Sequence, residues 1–295
     1  MSISKYKVLI EVLEQGSLTK TAKTMGYTQS GITHTIDRLE DEFGFDLIVR
    51  SRTGTRLTKN GEQVIPTIRE MLKWNEYLEQ QIAAVHGVEL GTVRIGTFTS
   101  VSVHWLPKII KKFQKDFPSI EIKLVDGDYR EIEEWILNGV IDCGFISVPT
   151  RNKLDVIPLH KDKMLMLLPP EHHLASHNVI DLNQIAQEPF IMPYQGYDDD
   201  MNRIFKKASF KPNITFTAID DYAIMAMVES GLGVSILPEL VLEGQHRHIH
   251  KKELREFSFR SLGVAVRSLE SMSPATEKFL AYVQDFLQSS KSEEV

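Results

Sequence analysis

Residues 16–61 read GSLTKTAKTMGYTQSGITHTIDRLEDEFGFDLIVRSRTGTRLTKNG. Glycine stops and hydroxyl caps divide the stretch. Gly16 closes a helix over 4–14, with Ser4 as candidate N-cap and Val8, Leu9, Val12 and Leu13 on one face. Ser17 caps a short second helix carrying Leu18, Ala22 and Met25, and Gly26 ends it. Thr28 caps a third helix, with Ile32, Ile36 and Leu39 inward at i, i+4 and i+7. Three short helices with a glycine turn between the second and third form a helix-turn-helix pattern. After Gly44, Leu47–Arg50, a basic tip and Leu57-Thr58 read as a β-hairpin, a wing.

The charge distribution agrees with a small DNA-reading module. The 295-residue chain carries a net charge of −6, which alone argues weakly against nucleic-acid binding. Between Ser17 and Asn60, however, seven Lys/Arg face five acids, and Arg50 to Lys59 contains four bases and no acid. The length suits two or three domains, and 42% hydrophobic residues suffice for more than one core. The single Cys143 excludes an intramolecular disulfide and a multi-cysteine metal site, and its apolar strand IDCGFI reads as core. The start has no signal-peptide h-region, and no segment reaches a membrane span, so a soluble cytoplasmic protein with no membrane partner is expected.

Residues 60–86 read as one helix. Val64, Ile68, Met71, Asn75, Leu78, Ile82 and Val85 alternate at +4 and +3, a heptad seam that calls for a partner helix, with Asn75 fixing register; the alternative is that the stripe packs on its own domain. Gly87 and Gly91 mark a hinge. Strands and helices then alternate in two runs, 93–146 and 190–237, which predicts two α/β lobes with parallel sheets and a terminal helix over 274–287. A single helix is expected over 102–117. His246, His248 and His250, like His172-His173, read as surface residues and not as metal ligands. No Walker A loop, GxSxG elbow or HExxH motif occurs.

The ordered set Gly16-Ser17, Ala22, Thr28-Gln29-Ser30, Ile32-Thr33, Ile36, Leu39-Glu40, Gly44, Leu47, Arg50, Arg52, Leu57-Thr58 and Gly61 resembles the winged helix-turn-helix of LysR-type transcriptional regulators. GTVRIGTF, ILNGVIDCGFI and VESGLGVSILP extend the resemblance over the chain. It implies an α-helical winged-helix N-terminal domain followed by a two-lobed α/β effector domain of the periplasmic-binding-protein type II fold. The expected boundaries are 1–60 for the DNA-binding domain, 61–90 for the linker helix and hinge, and 91–290 for the effector domain; lobe 1 takes about 91–162 and 268–290, and lobe 2 about 163–267.

A helix in the major groove presents its N-terminal residues to base edges. Thr28, Gln29, Ser30, Thr33, His34 and Arg38 are the candidates here; Gln29 suits an adenine edge and Thr33 a thymine methyl. Family members often carry proline where Ser30 stands and a basic residue where His34 stands. Arg50, Arg52 and Arg56 suit phosphate or minor-groove contact from the wing, although Arg50 has an equal structural reading as partner to a helix acid. Ile68, Met71, Asn75, Leu78 and Ile82 are the dimer-seam candidates.

The resemblance places a small-molecule effector between the lobes, outside the carboxyl ends of the strands. Matching positions are Thr97, Thr99, Ser100, Ser102, Asp126, Asp128, Ser147, Tyr194, Gln195 and Asp221. The hydroxyls of Thr99, Ser100 and Ser102 at a helix start suit a carboxylate, while the acids point the other way. The expected partners are operator DNA, the effector, and copies of the chain as a dimer or tetramer, with RNA polymerase as a further candidate. No cofactor, metal or catalytic residue is expected. The competing class is a small-molecule-binding protein or enzyme on the same lobes, for which Ser100 and His104 would be the pair to examine.

Overall fold

The computed structural model describes residues 2–51, 54–193, 198–256 and 258–293, without the side chains of 198–199 and 290–293. The chain forms two compact units, Met1–Gly91 with Leu137–Val140, and Thr92–Ile136 with Ile141–Val295.

The first unit contains α1 (Ile3–Gln15), α2 (Leu18–Met25), α3 (Gln29–Phe43), β1 (Ile48–Ser51), β2 (Gly54–Leu57) and α4 (Lys59–Val85). Helix α1 starts ahead of the expected Ser4, with Ser2 at the N-cap position. Ser17 Oγ accepts from the Lys20 amide at 3.4 Å, Thr28 Oγ1 from Gly31 at 3.1 Å and Thr58 Oγ1 from Gly61 at 2.9 Å, so three helices begin on hydroxyl caps. Gly26 turns the chain between α2 and α3 at φ 71°, a conformation that favours glycine. Leu9, Val12, Ile32, Ile36, Leu39 and Leu47 are fully buried in one core, and each such side chain contributes about 1.5–3 kcal/mol.

The wing pairs Ile48 with Leu57 and Arg50 with Thr55. Its entry is pinned by Glu40 of α3, whose Oε1 accepts from the amides of Leu47 (2.7 Å) and Ile48 (3.0 Å). Its exit passes Gly61, where a Cβ would lie 2.2 Å from the Leu47 carbonyl oxygen. The 27 residues of α4 span about 40 Å. Its apolar stripe divides. Ile65, Ile68 and Leu72 are buried in the core of their own unit; the expected seam residue Ile68 therefore serves the winged-helix core. The later seam positions are exposed, from 40% at Met71 to 55% at Leu78 and 84% at Val85, with Ile82 also exposed. Asn75 donates to Glu79 Oε1 at 2.7 Å.

The second unit runs β3 (Gly91–Thr97), α5 (Thr99–His104), α6 (Leu106–Asp116), β4 (Ile120–Asp126), α7 (Tyr129–Leu137), β5 (Cys143–Val148), β6 (Asp155–Leu168), β7 (Val179–Ile180), β8 (Pro189–Pro193), α8 (Asp198–Lys207), β9 (Asn213–Ala218), α9 (Asp221–Glu229), β10 (Ser235–Pro238), α10 (Glu239–Leu242), β11 (His250–Leu254), β12 (Phe259–Val266) and α11 (Pro274–Glu293). The single helix expected over 102–117 is two helices, because Pro107 has no amide to continue the ladder and sits in the first turn of α6.

Parallel pairing holds for β3 with β5 and for β8 with β9. The expectation of parallel sheets throughout is corrected by the 14-residue β6, which pairs antiparallel with β10, β11 and β12. One sheet thus runs β4-β3-β5-β12-β6-β11-β7, with β10 on β6. Strand β12, which the expected boundaries assign to lobe 2, also pairs with β5 of lobe 1 from Ser261 to Val266. Lobe 1 is further closed by rings of α6 and α11: Phe113 meets Phe279 and Tyr282 at 5.5 and 5.3 Å between centroids. Lobe 2 packs Ile191, Ile224, Met225, Val228 and Leu237 around β6. Cys143 is buried in β5. Among the described residues no helix is long and apolar enough to cross a membrane.

Candidate functional site

The start of α3 is an uncovered polar face. Thr28, Gln29, Ser30, His34 and Arg38 are exposed, and Thr33 is half-buried. Thr28 Oγ1 lies 3.1 Å from Ser30 Oγ as well as capping Gly31, so its hydroxyl holds the helix end that points outward. Arg56 is exposed on β2. Arg50 pairs with Asp37 of α3 at 2.6 Å, in line with its structural reading, while 39% of its side chain remains exposed. Arg52 lies outside the described residues.

In the second unit, the start of α7, the end of β5 with residues 149–151, and α8 line a small crevice. Behind Tyr129, Arg260 of β12 is fully buried. Its guanidinium meets Asp162 Oδ2 at 2.6 Å, donates to Tyr129 Oη at 2.9 Å and to Ser100 Oγ at 2.8 Å, and stacks 5.4 Å from the Phe98 ring centre. The other Asp162 oxygen accepts from the Leu240 amide at 3.0 Å. A buried pair of this kind is held by its full set of hydrogen bonds.

This network engages several of the expected effector residues. Ser100 is buried and its oxygen already accepts from Arg260. Thr97 is buried, and Ser102 donates to Asp126 Oδ1 (3.0 Å) while its oxygen lies 3.1 Å from Thr97 Oγ1. Asp128 caps α7, accepting from the amides of Arg130 and Glu131 at 2.8 and 2.9 Å. Thr99 and Asp126 are exposed, and Asp221 is buried in the first turn of α9. Tyr194 and Gln195 lie outside the described residues. Ser147 stays in the crevice: it donates to Asp200 Oδ1 at 2.9 Å.

Sequence reasoning missed Arg260, Asp162, Tyr129 and Arg203; it placed Asp200, with Asp198 and Asp199, among acids near the crevice or solvating loops. Asp200 is buried, bonded also to Arg203, and its Oδ2 has no partner among the described residues. Burial pushes its carboxyl above the ordinary range; Arg203, Arg260 and Ser147 pull in the opposite direction and do not cancel it. Arg203 also donates to the Val148 carbonyl at 3.2 Å, so α8 is tied to the end of β5. A cavity beside these groups is lined by Tyr129, Arg130, Ser147, Arg151, Asp200 and Arg203, among others.

His104 faces Glu243 at 3.5 Å, and Ser100 is bonded to Arg260, so they form no nucleophile–base pair. His172, His173 and Glu188 bring ligating atoms within 4.8 Å of one another. His172 Nδ1, however, accepts from the Leu174 amide at 3.2 Å. Its Nε2 lies 2.5 Å from Glu188 Oε2, so both ring nitrogens are already engaged within the chain. His250 Nε2 lies 2.9 Å from the Pro170 carbonyl.

Residues 3–62 match the family described as bacterial regulatory helix-turn-helix protein, lysR family, and residues 86–288 match the LysR substrate binding domain. The chain belongs to the LysR family of DNA-binding transcriptional regulators. It is 35% identical over 288 residues to the uncharacterized HTH-type transcriptional regulator YvbU of Bacillus subtilis, covering 97% of this chain and 98% of that one. A full-length OxyR from Pseudomonas aeruginosa superposes with a TM-score of 0.80 at 19% identity, covering 98% of this chain and 95% of that one. CbnR, solved with its target DNA, superposes at 0.67 with 22% identity, covering 97% and 99%. The fold is a winged helix-turn-helix joined to an α/β effector domain of periplasmic-binding-protein type II.

Proposed function

We infer that this LysR-type regulator reads its operator through the start of α3, with Gln29, Ser30, Thr33 and His34 at base edges and Thr28, Arg38, Arg50, Arg52 and Arg56 at the backbone. The observation that supports this is the exposure of the α3 start: a helix whose inner face is filled by Ile32, Ile36 and Leu39 leaves its polar face uncovered. Two copies pair through the exposed half of α4, at Met71, Asn75, Leu78 and Ile82, to bind a dyad-symmetric site. Larger assemblies and RNA polymerase are further partners of that dimer. A small molecule in the crevice of the second unit shifts the population of lobe arrangements and so controls DNA binding. The protein acts in the cytoplasm, takes no cofactor or metal, and is not an enzyme. The domain limits are 1–60, 61–90 and 91–290.

The test is binding of full-length protein to DNA upstream of its own gene, compared with random DNA. Gln29→Ala is expected to weaken operator binding by about 1–3 kcal/mol and leave random DNA unaffected. Equal losses on both would remove Gln29 as a base reader.

A further inference from the structure

The turn between α2 and α3 carries one large side chain that the fold does not use. Residues 26–30 are exposed as a continuous run. Within it Gly26 makes the turn and Thr28 caps α3. Tyr27 between them is 56% exposed. Among the described residues its hydroxyl has no hydrogen bond and its ring no aromatic or cationic partner. Its backbone, by contrast, is fixed: the Tyr27 amide donates to the Ala22 carbonyl at 2.9 Å, and the next residue is held by its own cap. A tyrosine has only two side-chain torsions, so a ring standing on fixed backbone loses little entropy when its hydroxyl is bound.

The helix-turn-helix decides what such a residue meets. The second helix enters the major groove by its N-terminal end, while the first crosses the sugar–phosphate backbone. The turn that joins them therefore passes over the strand bordering the groove. Tyr27 sits in that turn, two residues before Gln29 opens α3. A phenol hydroxyl there is a donor for phosphate oxygens, and tyrosine is one of the side chains that make such contacts. It brings no charge. Lysine and arginine contacts release counterions from DNA and so set the salt dependence of binding; a neutral donor leaves that dependence alone.

We propose that Tyr27 is a neutral phosphate anchor: its hydroxyl donates to one phosphodiester oxygen at the edge of the groove that α3 enters, and so fixes the register in which Gln29 and Thr33 meet the bases. This rests on the reading of the α3 start as the operator-reading face.

The test is titration of the full-length protein on the DNA upstream of its own gene, at several salt concentrations, with Tyr27→Phe, Tyr27→Ala and Gln29→Ala beside the unaltered chain. Tyr27→Phe deletes a single exposed oxygen and is expected to keep the melting temperature. It is expected to weaken operator binding about tenfold, the loss of one hydrogen bond to a charged group. The slope of log affinity against log salt is expected to stay unchanged. A scan of single uncharged methylphosphonates along the operator is expected to find one phosphate at which Tyr27→Phe costs nothing further. A lowered salt slope, or a scan that finds no such phosphate, would overturn the anchor. Full affinity of Tyr27→Phe with a loss in Tyr27→Ala would put the ring on a base or sugar and overturn it as well. Full affinity of both, with Gln29→Ala still weakened on the operator, would remove Tyr27 from the interface and leave the α3 reading standing. Full affinity of all three variants would overturn both.

Discussion

Replacing Arg260 with methionine tests whether the second unit is organised around one buried charge pair. The side chain is fully buried, as is its partner Asp162, of which 2% is exposed. Arg260→Met fills a similar volume but leaves Asp162 ionised with only the Leu240 amide, and leaves Ser100 and Tyr129 without their donor. Breaking one side of a buried pair costs about 3–5 kcal/mol, because the surviving charge stays in a poorly solvated site. Against a domain stability of roughly 5–15 kcal/mol, that is a large fraction. The double variant Asp162→Leu/Arg260→Met removes both charges and is expected to recover most of the loss, less about 1–3 kcal/mol for the unmatched Leu240 amide. Scanning calorimetry separates the two units, and the Trp105 signal follows the second, since its ring lies against Phe145 and His160 at 6.3 and 5.9 Å. A loss below about 1 kcal/mol in the single variant, or a double variant no better than the single, would refute the reasoning.

Gly61→Ala is expected to destabilise the first unit and impair DNA binding, since the added methyl would sit 2.2 Å from the Leu47 carbonyl oxygen, and backbone cannot yield as a side chain does; overpacking of this kind costs about 1–3 kcal/mol or more, and an unchanged melting temperature would contradict it. Arg56→Ala is expected to weaken binding to all DNA sequences and to lower the salt slope by about one unit, measured by titration across ionic strengths. Asp200 makes a pH prediction. Its carboxyl titrates above the ordinary value of 3.8 in the folded chain, so the folded state holds its proton more firmly than the unfolded one. Its contribution to stability therefore falls as pH rises from 3.8 through its folded value, and Asp200→Asn is expected to flatten the stability-against-pH curve of the second unit in that window.

The first unit was legible because its determinants are local. Ser17, Thr28 and Thr58 cap helices that start within one or two residues of them, and the i, i+4, i+7 series Ile32–Ile36–Leu39 names its own buried face. The α4 stripe was read as continuous because a heptad pattern does not say what covers it. Ile68 meets the core of its own unit while Leu78 meets solvent. The second unit was less legible where pairing is long-range. Strand β6 joins residues 155–168 to segments near 235, 250 and 260, and such antiparallel partners leave no trace in the spacing of strands and helices.

The crevice shows the same division with a consequence for control. A hydroxyl-rich turn after β3 reads locally as an anion site, yet Ser100 is already taken by Arg260, 160 positions along the chain. The positive charge is supplied by side chains that sequence proximity does not assemble. Under the proposed lobe limits, Ser147 and the Val148 carbonyl of β5 fall in lobe 1, and Asp200 and Arg203 of α8 fall in lobe 2. The bonds among them cross from one lobe to the other. A ligand that engages Arg203 or Asp200 competes with, or completes, bonds that set the spacing of the lobes. Its leverage equals its difference in affinity between two lobe arrangements: a tenfold difference shifts that equilibrium by about 1.4 kcal/mol, and equal affinity shifts nothing. Tight binding that is equal in both arrangements would therefore leave the regulator unmoved, and a ligand that breaks or completes the Ser147–Asp200 and Arg203–Val148 bonds is the kind that acts on it.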